Sequence, residues 1–168
     1  MRERHASQGA RRAQEFESFV AGAAGRLLHA ATLLTGEAPY DNPRARRLLT
    51  HALAHTYASW DRLRGEDPYD RAREYLATRF ARGAWHHYGG LLARARPHPD
   101  SALAHLGPHE RLVLVLRLFE GVGEEQVAAL LGVPLERVHT MCDRATATVL
   151  HPPRRPAPPT AEAEVAAS

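Results

Sequence analysis

Residues 124–150 read EEQVAALLGVPLERVHTMCDRATATVL. A short helical pattern over 124–131, a tight break at Gly132-Val133-Pro134 and a longer pattern over Leu135–Leu150 give the spacing of a helix-turn-helix. In that motif the break lets the second helix cross the first and enter a major groove. Val127, Ala128, Leu131, Val133 and Val138 fall where the two helices must be held together. A plain helical hairpin shares this spacing, so the surrounding chain has to arbitrate.

Upstream, Leu103 and Leu106 suggest a short helix, Pro108 opens a longer one through Leu118 and Phe119, and Gly121 with Gly123 closes it. Residues 89–101 (GGLLARARPHPDS) hold two glycines and two prolines with few apolar residues, the composition of a linker. Three further helices precede it. Phe16, Val20, Ala23, Leu27, Ala31 and Leu34 recur at intervals of three and four, predicting a first core helix from Glu15 that ends near Thr35-Gly36. Asp41-Asn42-Pro43 opens the second, with Asn42 as N-cap, Pro43 in the first turn and Leu49, Leu53, Tyr57 and Trp60 as its apolar stripe. Asp67-Pro68 opens the third, over 69–88, with Ala72, Tyr75 or Leu76, Phe80 and Trp85 inward. Residues 1–14 (MRERHASQGARRAQ) lack apolar spacing and read as a disordered basic start, and 151–168 as a disordered Pro/Ala-rich tail. No strand pattern occurs. The expected fold is all-α: two small helical domains, 15–88 and 102–150, joined by a flexible linker, the second a helix-turn-helix.

The 168 residues carry 22 arginines and no lysine or isoleucine, partly the imprint of a GC-rich genome, so the placement of charge says more than its amount. The net charge of +3 divides unevenly: residues 1–96 hold 16 arginines against 10 acids, and residues 97–151 hold 4 against 7. A basic first half suits a polyanion or an acidic partner, whereas an acidic second half needs a specific reason to approach DNA. A single cysteine, Cys142, excludes an internal disulfide and fits a reducing cytoplasm. Arg26 and His29 interrupt the most apolar N-terminal stretch, which reads as neither signal peptide nor membrane span.

Residues 106–141, LGPHERLVLVLRLFEGVGEEQVAALLGVPLERVHTM, resemble the fourth region of small bacterial sigma factors of the extracytoplasmic-function type. That family opens the region with leucine-proline-x-x-(Glu/Gln)-Arg and leads through an aliphatic helix to a helix-turn-helix on the minus-thirty-five promoter element. The first half is also similar. FESFVAGAAGRLLHAATLLTG (16–36) falls where the second region's first helix would lie, ARRLLTHALAHTYASW (45–60) at the polymerase-binding helix, and REYLATRFARGAWHHY (73–88) at the minus-ten helix. The resemblance implies a transcription regulator with no enzymatic activity and no cofactor. Its partners would be core RNA polymerase, promoter DNA and an anti-sigma or other protein. Arg137, His139, Thr140 and Arg144 would face the groove; Arg79, Arg82, His86 and His87 would meet the minus-ten region; Arg46, Arg47, Leu48, Leu49 and Tyr57 would serve polymerase.

Three runs depart from the family pattern. Where the polymerase-binding helix usually carries an acidic-leucine-valine-glutamine stretch, this chain has Arg46, Arg47, Leu48, Leu49, Thr50 and His51, so the charge is reversed; like charges across an interface are costly. The family's threonine-valine-lysine-serine-arginine run becomes Arg137, Val138, His139, Thr140, Met141, with fewer phosphate contacts. Arg79 stands where asparagine is common. These departures define a second reading: a diverged relative that no longer initiates transcription and acts as a protein–protein interaction module.

Eleven histidines raise the question of metal. His51 and His55 share a helical face, but Ala52 stands where a zincin-type site needs glutamate and no third ligand follows, so no metal site is expected. Gly107-Pro108 separates His105 from His109. His139 and Cys142 lie near each other on one helix, where a lone cysteine packs as a small residue. Trp60, Tyr75 and Phe80 read as core, while Trp85 and Tyr88 are divided between core and base stacking. Contact through His86 and His87 would strengthen as pH falls toward about 6.

Overall fold

A computed structural model describes residues 2–63, 65–86 and 97–152, with side chains from residue 7 onward and none for 85 and 86. Six α-helices form among them: α1 (Arg2–Thr35), α2 (Pro43–Ala58), α3 (Pro68–His86), α4 (Pro108–Leu114), α5 (Glu124–Leu131) and α6 (Leu135–Leu150). The described residues contain no strand, only an isolated bridge between Ala38 and Asp41. The chain is all-α.

α1 departs from expectation at its start. Residues 2–14, read as unstructured, continue the helix. Arginine, alanine, glutamine and glutamate are good helix formers, and distant residues hold the extension. Arg12 lies 4.4 Å above the Tyr57 ring, reaches Asp61 at 2.9 Å and donates to the Tyr57 carbonyl. Phe16 packs edge-on against Trp60, with 5.2 Å between ring centroids. The helix stops at Gly36, whose φ of 66° is left-handed and suits glycine. A Cβ there would also stand 3.0 Å from Pro97 Cβ and 3.3 Å from Arg111 Nη1, so the turn is tight in space as well as in torsion.

Pro43 begins α2 as expected, but Asn42 does not cap it. Its amide donates instead to the Thr32 hydroxyl and the Pro39 carbonyl. The cap is Glu37, whose carboxylate accepts from the backbone N–H of Arg44 (3.0 Å) and Ala45 (2.7 Å). Burial alone would raise the Glu37 pKa; the two N–H bonds, the Arg44 guanidinium and the Thr35 hydroxyl outweigh it and hold the carboxyl below its ordinary value. The tightest packing of α2 uses Ala45, Ala52 and Thr56 rather than the larger stripe. Leu49 and Leu53 are partly buried against Ala23, Leu27 and Ala72, and Tyr57 is exposed beneath Arg12. In α3, Asp67 accepts from the Tyr69 N–H at 2.8 Å, and Ala72, Leu76, Ala77 and Ala81 face inward.

Residues 102–106 form turns rather than a short helix, yet Leu103 and Leu106 are buried as their spacing suggests. Past α4 the helix widens into a π segment, Val115–Phe119, with Glu120 N–H bonding the Val115 carbonyl at 2.9 Å. α5 and α6 occupy the expected spans. Gly132 sits at φ 64° between them, and Val127, Ala128 and Val138 are buried, with Leu131 and Val133 packed alongside.

The two groups of helices share one core. Ala31, Leu34, Leu76, Leu112, Val113, Val127 and Val138 belong to a single apolar cluster, and α4 packs on both α1 and α3. Completely burying a leucine such as Leu34 or Leu112 contributes about 1.5–3 kcal/mol. A polar latch crosses the same junction: the Tyr69 hydroxyl lies 2.9 Å from each oxygen of the buried Glu120 carboxylate, and Arg26 stands 3.6 Å from it while donating to the Phe119 carbonyl at 3.0 Å. Burial and this bond together push the Tyr69 hydroxyl's pKa up. Residues 87–96, which include 89–96 of the expected linker 89–101, and the tail from 153 on, lie outside the described residues.

Candidate nucleic-acid interface

α6 divides cleanly along its length. Val138, Cys142 and Ala145 recur at helical spacing and are buried, while Arg137, His139, Thr140 and Arg144 are exposed on the outer side. The amphipathic pattern therefore delivers all four expected groove residues to solvent. Burial pushes the Cys142 thiol up, in keeping with a packing role.

The charge of that face is largely spent within the protein. Arg144 Nε stands 3.2 Å from Glu110 Oε1. His139 lies 3.5 Å from Glu124 through Nδ1 and 3.3 Å from Asp143 through Nε2. The Thr140 hydroxyl donates to the Glu136 carbonyl at 2.7 Å. Among the described residues Arg137 has no carboxylate within ion-pair distance. Its charge is felt by His109, where burial first and Arg137 second lower the imidazole pKa. Arg117 braces the platform beneath, donating to the Val122 carbonyl at 2.6 Å and pairing with Glu124 at 3.4 Å.

The other expected site residues are dispersed. Arg46 is exposed and bonds Asn42 Oδ1 at 2.9 Å. Leu48 and Leu49 turn to different apolar clusters, and Tyr57 lies on the α1 side against Phe16, at 4.8 Å between ring centroids. The five polymerase candidates thus share no single face. Arg79 and Arg82 are exposed on α3 and, with Arg47 and Leu48, line a cleft of about 1150 Å³ between α2, α3 and the stretch 97–111. The His86 side chain and the whole of His87 lie outside the described residues.

Sequence reasoning missed Arg111. Only 5% exposed, it donates from Nε to the Leu34 carbonyl (3.0 Å) and from Nη1 to the Leu106 carbonyl (3.1 Å), tying α1 to α4. Burial, reinforced by Arg44 nearby, lowers its pKa to about 10. The sequence gives it only as the arginine of the opening LGPHER. His51 and His55 show no metal arrangement: the described residues contain no group of three or more His, Cys, Asp or Glu able to hold an ion. His55 stacks on Tyr75 at 4.1 Å.

An exposed α6, docked on α5 through a glycine turn and backed by α4, is the geometry of a DNA-reading helix-turn-helix. Residues 102–148 match the family model for Sigma-70, region 4. The match takes in the buried Leu103 and Leu106, α4, α5 and nearly all of α6. It makes this segment similar to a sigma-factor DNA-binding domain. No curated protein and no solved structure matches the chain. Of the four residues expected to face a groove, Arg137, His139, Thr140 and Arg144, Arg137 is the arginine without a carboxylate partner among the described residues. No helix among the described residues is long and apolar enough to cross a membrane.

Proposed function

We propose that the chain is a sigma-factor-like transcription regulator of the extracytoplasmic-function type that carries core RNA polymerase to promoters in the cytoplasm. In this reading residues 15–88 meet polymerase and the minus-ten region, and residues 102–150 meet the minus-thirty-five element across the linker 89–101. Arg137, His139, Thr140 and Arg144 contact the groove, Arg79, Arg82, His86 and His87 the minus-ten DNA, and Arg46, Arg47, Leu48, Leu49 and Tyr57 polymerase. The observation that carries it is the region-4 match over 102–148, together with an α6 that keeps those four side chains at the surface. An anti-sigma or other protein partner belongs to the same reading.

Size-exclusion co-elution of the full chain with core RNA polymerase at moderate salt tests it, with an Arg46→Asp/Arg47→Asp variant alongside. Co-elution of the parent is expected. Co-elution of the acidic variant alone would show that the reversed charge has cost the chain its polymerase contact. Two observations favour the second reading, a diverged protein-interaction module: the separation of Leu48 from Leu49, and the neutralised face of α6. Failure of parent and variant alike would turn the search to protein partners.

A further inference from the structure

The cleft between α2, α3 and residues 97–111 is larger than the few hundred to about 1,000 Å³ of ordinary small-molecule sites. Its lining is lopsided in charge. Six arginines reach it, and among the described lining residues Glu74 is the sole carboxylate. Arg44 is answered by Glu37 at 3.0 Å. Arg47, Arg79, Arg82 and Arg111 have no carboxylate within 4 Å among the described residues, and Arg111 is built into the wall rather than waving from the rim.

These cations gather at one end. α2 and α3 pack together across a short connection and run antiparallel, and the His55–Tyr75 stack sets their register. Two turns back along α2 stands Arg47, and two turns on along α3 stands Arg82. Arg44, close enough to lower the Arg111 pKa, brings Arg111 to the same end. Apolar and aromatic side chains line the same cleft, with Leu48 next to Arg47, Phe80 next to Arg79, Leu106 against Arg111 and Tyr75 about two turns from Arg82. A desolvated guanidinium needs an anion as partner, and this lining offers room for a hydrocarbon or aromatic body beside it.

We propose that this cleft is a binding site for an amphipathic organic anion, with a carboxylate or phosphate head held by Arg47, Arg79, Arg82 and Arg111 and an apolar body laid over Leu48, Tyr75 and Phe80. A free metabolite and a lipid headgroup present the same chemistry. The site takes Arg47, Leu48, Arg79 and Arg82, which the proposed function gives to polymerase and minus-ten DNA, so a ligand there would compete with both, and it bridges α2 and α3 to the region-4-like segment.

Isothermal titration of the full chain separates the sources. The probes are decanoate and decyl phosphate below micelle formation, decanol, inorganic phosphate, and phosphatidylglycerol vesicles. One equivalent of decanoate or decyl phosphate is expected to bind, at least about tenfold more tightly than decanol or inorganic phosphate, since a charge-assisted bond contributes about that factor. Gly83→Phe is expected to weaken binding. A Cβ at Gly83, which lines the cleft, meets nothing within 4 Å, and phenylalanine is a better helix former than glycine, so the variant is expected to fold and to narrow the cleft beside Arg79 and Arg82. Arg79→Ala/Arg82→Ala, both exposed, is expected to weaken binding by about tenfold. Circular dichroism of both variants checks that helix content is kept. No binding by either anion or by the vesicles, equal binding of decanol, equal binding of inorganic phosphate, or undiminished binding to Gly83→Phe would each overturn the proposal, whereas binding to vesicles alone would support it with a lipid as the source.

Discussion

The outer face of α6 and the cleft beside α3 both carry arginine, and they treat it in opposite ways. On α6, Arg144 is met by Glu110, and His139 by Glu124 and Asp143, so the exposed face of that helix keeps little free positive charge. In the cleft, Arg47, Arg79, Arg82 and Arg111 have no carboxylate in ion-pair distance among the described residues, and one of them is buried. A net charge of +3 says nothing of this. The difference shows that attraction for an anion follows from where acids are few, and here they are few along an open cleft rather than on the outer face of α6.

The largest effect is expected from breaking the cleft wall. Arg111→Met strands the Leu34 and Leu106 carbonyls, each costing about 1–3 kcal/mol when buried and unpaired, partly offset by relief from desolvating the guanidinium. A net loss of about 2–3 kcal/mol follows, read as a lower urea midpoint at unchanged slope. If the midpoint holds, Arg111 is kept for something other than stability, and the contrast with α6 sharpens.

Glu37→Gln tests the one arginine of the cleft that does have an acid. Loss of the charged cap of α2 is expected to cost about 1–2 kcal/mol at pH 7 and to free Arg44. The sign with pH is fixed. The folded carboxyl titrates below its ordinary value of 4.5, so the unfolded chain binds the proton first. Glu37 therefore contributes its full stability above that value and loses it as pH falls through the lower folded one. In urea melts the parent should lose stability in that acid window, and the variant should lack that share of the loss.

The helix-turn-helix was legible because its signals are local. Gly132 and Pro134 mark the break, and Val127, Val138 and Cys142 keep the helical period on either side. What escaped depends on residues far apart in sequence. The early start of α1 rests on Arg12 reaching Tyr57 and Asp61, and the cap of α2 comes from Glu37, across a turn from the nearer and more conventional Asn42. Tyr69, Glu120 and Arg26 meet across the shared core with nothing in their neighbourhoods to announce it. The cleft was hidden for the same reason: its arginines come from α2, α3 and α4, and periodicity assigns each to a solvated face until the helices are placed together. The exposed positions of α6 could be read, as could Asp143 one turn from His139, but not Glu110 and Glu124, which belong to other helices.

The smallest effect converts α6 toward the character of the cleft. Glu110→Gln removes the charge facing Arg144 while a side-chain oxygen can still accept from the Gly107 N–H, so the start of α4 survives. An exposed pair of this kind is worth about 0.2–1 kcal/mol, so the freed arginine should raise affinity for duplex DNA by a few-fold at low salt. Arg137→Ala moves the other way. As the α6 arginine without an acid among the described residues, it should take away about 0.9 from the slope of log K against log salt, the share of one phosphate. Fluorescence anisotropy over a salt series separates the two. A steeper slope for Glu110→Gln and a shallower one for Arg137→Ala would place both arginines on phosphates, with Arg144 held back by its partner. Equal slopes in all three proteins would mean that α6 does not touch the backbone, and that the positive charge this chain presents to other molecules lies in the cleft.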